Sequence, residues 1–401
     1  MLSFGGAARR VLKPRKALIE MATTQVKLND PLAVGVWAKM LNTETSKALP
    51  IAPLMGKSKN SIIQVLDVLG KSAGDSVTSG LRVQLMGDGV SEGQTLEGNE
   101  EALQFMNEKV HINELTHAVR IKYEGSIDQQ RVPFNLRTEA KDGLVDWYAD
   151  RLSLMFFIQA AGYTAPWMHF EGRTITLKPV HYGFNAPSEP SKLRIIRPNK
   201  KKTDEELTKE DVFTLDLIDQ AVERAKLANP RLRPVRVDGK SAYVMYLHPI
   251  QVTQLRTNTK SGQWLDITKA AYDGSGAKNP IFNGSLGMYN GVILREAEHV
   301  PNGVHSKTQE PVPSVRRAVL LGAQSIIMAY GRIGNGATGG NGENGATRYK
   351  LVEELFDYQR EFGLAAKTII GMKKSRYTLP HSDQGGQDFG TIVIPSFAEA
   401  S

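Results

Sequence analysis

The residue types that usually carry chemistry are few in this 401-residue chain, and their spacing seldom suits a reaction. His111 and His117 share strand parity in an alternating stretch, so both would leave one face of a strand and could share a metal ion. No third ligand lies near them in the sequence. Gly331 to Thr347 reads GRIGNGATGGNGENGAT. It lacks the Gly-Lys-Ser/Thr ending with which a phosphate cradle reaches the β- and γ-phosphates, so the reading is a surface loop. Arg197-Pro-Asn-Lys-Lys-Lys202 is a basic run, read as a solvated turn ahead of a phosphate contact. There is no cysteine, hence no thiolate nucleophile and no disulfide. No G-x-S-x-G or H-E-x-x-H motif occurs, and the acids are too dispersed to nominate a general acid–base pair. The expectation is a protein without cofactor, metal or catalytic site.

Composition points the same way. A hydrophobic content of 41% supports a sizeable core, and the length suggests two or three structural units. No apolar run is long enough to span a membrane. The formal charge is +8, and half of it sits at the start. Arg9, Arg10, Lys13, Arg15 and Lys16 face the single acid Glu20, a net +4. Residues 1–20 form a basic arm, suited to nucleic acid or an acidic partner, or a plain flexible tail. They superficially resemble a transit peptide, and Met21 offers an alternative start.

The elements that would position any working surface centre on Phe134 to Gly162, read as one long helix. Leu136, Ala140, Leu144, Tyr148, Leu152 and Met155 draw an apolar stripe at spacings of three and four. Pro133 suits the first turn and Gly162 the stop. From Leu152 to Ala161 almost every residue is apolar, so that end is buried all round. The helix spans on the order of 40 Å and reads either as a strut or as an ordinary long core helix. Before it, residues 22–70 carry short helical patterns (Pro31 to Leu41; Ser61 to Leu69) but no compact unit.

Residues 77–123 alternate at Leu81, Val83 and Leu85, pass through an acidic stretch punctuated by glycine, then alternate again from Val110 to Ile121. That describes a long two-stranded excursion. Such a ribbon is marginal alone in water and must lie on something else. After the helix, Thr174–Leu177 and Leu193–Ile196 read as short strands. A second unit begins near Asp211, with an amphipathic helix from Leu215 that Thr214 or Asp211 could cap. A buried-type strand follows at Ala242–Leu247, then a helix opening at His248-Pro249, then a turn at Asn279–Gly284. Further strand-like segments occupy Gly291–Glu298, Arg317–Ala329, Leu364–Met372 and Thr391–Pro395. The mixture argues an α+β or α/β fold.

The order of these segments resembles a tailed-bacteriophage major capsid protein of the Hong Kong 97-type fold, with a closer likeness to the phage N4-like coat family. It is carried by Ser79–Gly87 with Thr95–Leu103, by Phe134-Asn-Leu-Arg137, by Tyr243–Arg256, by Asn279–Gly284 and by Arg316–Gln324. It covers roughly residues 75–400, and the first 70 match least.

The resemblance implies an α+β shell protein with five parts. These are an N-terminal arm (1–70), an extended β-hairpin loop (71–125), and a peripheral domain (126–204) with spine helix 134–162. An axial domain (205–345) and a return to the peripheral domain (346–401) complete it. Leu81, Val83, Leu85, Glu97, Glu100 and Glu101 of the loop become expected inter-subunit contacts, and the basic arm an assembly element. Implied partners are further copies in hexamers and pentamers, scaffolding, portal and decoration proteins, and packaged double-stranded DNA, with no membrane. Some phages of this fold cross-link a loop lysine to a neighbour's asparagine with help from a glutamate. Here no lysine lies between Lys71 and Lys109, so a shell without covalent links is expected. The competing readings are an encapsulin-type compartment, a basic nucleic-acid-binding protein, and an enzyme using the glycine loop for a nucleotide.

Overall fold

The computed structural model describes residues 41, 44–45, 49–66, 74–82, 85, 87–103, 105–122, 126–133, 135–170, 172–237, 240–258, 286–331, 348–378 and 386–399. In chain order its elements begin with β1 (Met55–Gly56), β2 (Ile63–Leu66), β3 (Ser76–Arg82), β4 (Phe105–His111), β5 (Asn113–Lys122), α1 (Ile127–Arg131) and α2 (Leu136–Ala161). Then come β6 (Trp167–Phe170), β7 (Arg173–Thr176), α3 (Leu215–Leu227), β8 (Val235–Val237), β9 (Lys240–Leu247) and α4 (Pro249–Asn258). The rest is strand: β10 (Gly287–Tyr289), β11 (Val292–Glu296), β12 (Asn302–Val304), β13 (Pro311–Leu321), β14 (Ile326–Tyr330), β15 (Lys350–Phe356), β16 (Glu361–Lys374), β17 (Arg376–Tyr377), β18 (Gln387–Asp388) and β19 (Thr391–Phe397).

Helix α2 forms as its local sequence dictates. Asn135 is the N-cap, and its side-chain oxygen accepts from the Arg137 and Thr138 N–H groups. Pro133 therefore precedes the cap instead of occupying the first turn. At the other end Gly162 adopts φ 60°, ψ 48°, and the Tyr163 N–H reaches back to Ile158 O at 3.0 Å. This is the left-handed stop that glycine favours. Residues 152–161 are buried throughout.

Two sheets share this helix. The first has six strands in the order β1-β2-β14-β16-β15, with β5 also on β16. Ile370 of β16 faces Tyr330 on one edge and Asn113 on the other, while Leu364 faces Glu353 and Val119. Strands β14 and β15 thus follow one another along one edge of β16, and β5 takes the other. The helix is pinned to this sheet by Tyr148, whose Oη lies 2.7 Å from Ala366 O and 3.1 Å from Leu115 O.

The second sheet has seven strands, β10-β11-β9-β13-β12 with β19 on β13 and β8 on β9. Val244 and Tyr246 of β9 join the core under α2, whereas Tyr243, Met245 and Leu247 join the core under α3 and α4. Burial on both faces explains the unbroken apolar run in this strand. Helix α4 is stapled to β19 by Gln251 Nε2, which donates to Ser396 Oγ at 2.8 Å, and by Gln254 Nε2, which donates to Phe397 O at 2.9 Å.

Several local expectations give way to tertiary partners. Ser61–Leu69, read as helical, supplies β2, because Ile63–Leu66 pairs in parallel with β14. Leu193–Ile196 is not a strand: its first two residues belong to a single helical turn, Lys192–Arg194, and it touches β19 through the isolated bridge Ile195–Val393. Thr214 stands at the N-cap of α3 without a side-chain cap bond. Asp211 is occupied elsewhere, accepting from Thr208 N and Asn199 Nδ2. Residues 350–374 complete the six-stranded sheet, while β19 crosses to the seven-stranded one. Val83, Phe134, Asn279–Gly284, residues 332–347 and the basic arm lie outside the described residues.

Candidate assembly surfaces

The excursion is built in two stages. Its base is a hairpin in which β3 and β4 pair from Ser76–His111 to Arg82–Phe105. The returning chain then turns at Ile112 and continues as β5, which pairs with β16 instead of β3. The base is fastened to its own chain. Val77 and Val110 pack with Ile327 and Ala329, and Leu81 with Tyr377 and Phe389. Asn185 clamps it by accepting from His111 N at 2.9 Å and donating to His111 O at 2.8 Å. Lys373 adds an ion pair to Glu108.

Beyond the base the chain runs out as a finger whose residues 87–103 are exposed, save half-buried Val90. It is held by internal turns. Glu101 Oε2 accepts from the Gly87 N–H at 2.7 Å across the finger, and Glu100 Oε2 accepts from the Gly98 N–H at 2.8 Å. Leu85, Leu96, Leu103 and Phe105 are each more than half exposed. Among the described residues they make up half of the large exposed apolar side chains, so the finger concentrates unburied apolar surface.

The six expected loop contacts separate accordingly. Leu81 is only 5% exposed and serves the base, whereas Leu85, Glu97, Glu100 and Glu101 lie on the exposed finger. Leu96, Leu103 and Phe105 were not singled out by alternation. The signal that would have found them is an apolar residue stranded inside an acidic, glycine-punctuated stretch.

A protein-family model described as phage capsid protein matches residues 25–400. The chain belongs to the phage capsid protein family. The major capsid protein of Pseudomonas phage KPP25 is 26% identical over 373 residues, covering 90% of this chain and 93% of that protein. The capsid of Ralstonia phage GP4 matches with a TM-score of 0.73 at 28% identity, covering 87% of this chain and 90% of that one. The cyanophage Pam1 capsid matches with a TM-score of 0.58 at 20% identity, over 88% and 92% of the two chains, a likeness of fold alone. The fold is the α+β Hong Kong 97-type capsid fold, and the chain is a structural shell protein rather than an enzyme.

In this capsid protein the residues that first suggested chemistry have structural partners. His117 stacks on Trp147 with ring centroids 4.2 Å apart, and burial lowers its pKa with help from Arg151. Among the described residues no cluster of His, Cys, Asp and Glu could hold a metal ion. Arg197 of the basic run turns inward, its Nε donating to Asp204 Oδ1 at 2.7 Å. Asp204 also accepts from Arg317 Nε at 2.8 Å and from the Val304 N–H at 3.2 Å. Burial alone would raise its pKa, but the two guanidiniums outweigh that and hold it below the ordinary carboxylate range. A second buried pair joins Lys374 Nζ to Asp388 Oδ2 at 3.0 Å. The first cluster joins the 197–204 loop and β13 to the end of α2, and the second joins β16 to β18.

Proposed function

We propose that this chain is the principal tile of a tailed-phage head, closing with copies of itself into hexamers and pentamers around double-stranded DNA. The observation that carries the reading is the finger. An acidic and apolar projection without support beyond its base is unstable as a free surface and makes sense only when a neighbour covers it. Contacts between unlike surfaces of successive copies generate closed rings. Leu85, Leu96, Leu103, Phe105 and Glu97 are the proposed inter-subunit contacts.

The proposed division follows the sheets. The six-stranded sheet with α2 is the peripheral unit, and β3–β4 with its finger the extended loop. The seven-stranded sheet with α3 and α4, drawn mainly from residues 205–321 and closed by β19, is the axial unit at the ring centre. The arm of residues 1–70 ends in β1 and β2, which join the six-stranded sheet, and its Arg9, Arg10, Lys13, Arg15 and Lys16 engage scaffold, neighbour or DNA phosphate. Portal, scaffolding and decoration proteins complete a virion assembled in the host cytoplasm.

Hydrogen exchange on free subunits and on assembled particles tests this reading. Residues 87–103 exchange freely in the subunit and become protected in the particle, which electron microscopy shows as an icosahedral shell. Equal exchange in both states, or no closed particle, would overturn it.

A further inference from the structure

The finger carries Asp88, Glu92, Glu97, Glu100 and Glu101, and from residue 83 to 104 it holds no lysine or arginine. Whatever covers it must be cationic and must also offer apolar surface to its exposed leucines and Phe105. One face of this chain has both properties. Between Gln220 and Val237 the only acid is Glu223, against Arg224, Lys226, Arg231, Arg233 and Arg236, all exposed. The fold gathers them into a stripe at the end of α3. The Leu232 N–H donates to Ala225 O at 3.0 Å and folds the chain back on the helix. Arg224 Nη1 donates to Ile195 O at 3.0 Å, which brings the exposed Lys192 and Leu193 alongside.

Arg224, Arg231 and Arg233 are held by neutral groups, which leave their charge uncancelled. Arg231 Nε donates to Lys226 O at 3.1 Å, and Arg233 lies over the Phe389 ring at 5.4 Å. The stripe also holds Leu227, 76% exposed, and Leu193, 42% exposed, two of the remaining large exposed apolar residues among those described. A basic stripe with two exposed leucines mirrors an acidic finger with three leucines and a phenylalanine. DNA would match the cations but would leave the leucines in water.

We infer that the 85–105 finger of one subunit docks on the stripe formed by residues 192–193 and 224–236 of a second copy. This rests on the shell reading and names the surface that receives the finger. Complementary charge sets register and speeds encounter, while the apolar contacts supply area.

Charge reversal tests it. The finger variant is Asp88→Lys, Glu92→Lys, Glu97→Lys, sparing Glu100 and Glu101 because they bond backbone N–H groups. The stripe variant is Lys192→Glu, Lys226→Glu, Arg236→Glu. Each alone is expected to lower particle yield by about tenfold through like-charge contact, and the two combined to restore it to within about threefold of wild type. Circular dichroism of the soluble subunits shows that each variant is folded, and restoration in the combined protein shows it again. Folded variants whose combination stays defective would overturn the pairing. So would a stripe variant that assembles normally with residues 87–103 still protected. A stripe variant that assembles normally but loses DNA would assign the stripe to the genome instead. Wild-type chain that forms no particle would count against the shell reading itself and not against this docking.

Discussion

Arg317 of β13 places its Nη1 3.0 Å from the carbonyl oxygen of Gly162, the residue that ends α2. A cation at a helix C-terminus satisfies carbonyls that have no partner within the helix and complements its dipole. The same guanidinium is held by Asp204, which also receives Arg197. One buried carboxylate therefore joins the long helix, the seven-stranded sheet and the 197–204 loop.

Replacing Asp204 with Asn leaves the buried Arg317 and the partly buried Arg197 without their counter-charge. A loss of about 3–5 kcal/mol is expected in subunit stability, read from denaturant midpoints. The pH dependence has a definite sign. The folded pKa of Asp204 is depressed, so its contribution is present above the unfolded value of about 4 and is lost as pH falls through the folded value. Wild-type subunits should lose stability steeply on that acid limb, and Asp204→Asn should flatten it. An unchanged limb would remove Asp204 from the account.

His181 acts over a different window. It is buried, and its Nδ1 accepts from the Lys178 N–H at 2.9 Å, which requires a neutral ring. Burial first, then the charge of Arg151, lowers its pKa to about 4. The unfolded chain binds this proton near pH 6.5 and the folded chain refuses it, so stability falls as pH drops from about 6.5 towards 4. His181→Gln should make stability shallower in pH across that interval, as followed by thermal melts at half-unit steps. A wild-type profile flat there would contradict the buried neutral imidazole.

The ends and middle of α2 respond in opposite directions. Asn135→Ala removes the cap and is expected to cost about 1 kcal/mol. Gly143 is exposed and an added Cβ would meet nothing within 4 Å, so Gly143→Ala should gain about 1 kcal/mol in the free subunit. Gly162→Ala combines a left-handed φ of 60° with a Cβ only 2.5 Å from Ser188 O, and should be the most damaging of the three. Calorimetry of the three single variants gives the ranking, and any other order counts against the assigned helix ends.

Covalent locking is not expected. Arg82 is the only basic residue between Lys71 and Lys109, and a guanidinium stays protonated and poorly nucleophilic. Lys109, where the lysines resume, lies in β4 on the anchored base of the hairpin, not on the finger. Particles boiled in detergent should release one band near 44.1 kDa, or slightly below it if the arm is removed. Ladders at pentamer and hexamer masses would show a cross-link supplied from outside the finger.

The sequence by itself determined what depends on near neighbours. Gly162 stops α2 through bonds to residues within a turn, so the stop could be read from residue type, whereas the Asn135 cap places the start later than the first turn Pro133 suggests. The apolar stripe, the all-buried C-terminal half and the strand at Ala242–Leu247 follow from periodicity, and the missing finger lysine is a matter of inspection. The family could be seen because those segments occur in a particular order. Only the tertiary structure decided pairings between distant residues, since period two says which faces are apolar and not which strand lies alongside. It sent β5 to β16 and made Ile63–Leu66, read as helical, a strand by offering it the edge of β14. It buried Leu81 against Tyr377 and Phe389 while leaving Leu85 outside. It also converted Arg197 from a surface cation into a partner of Asp204 and, through it, of Arg317. Residue types announce how much charge and apolar surface must be satisfied; the packing of distant segments chooses which groups satisfy one another within the chain and which are left for the next copy.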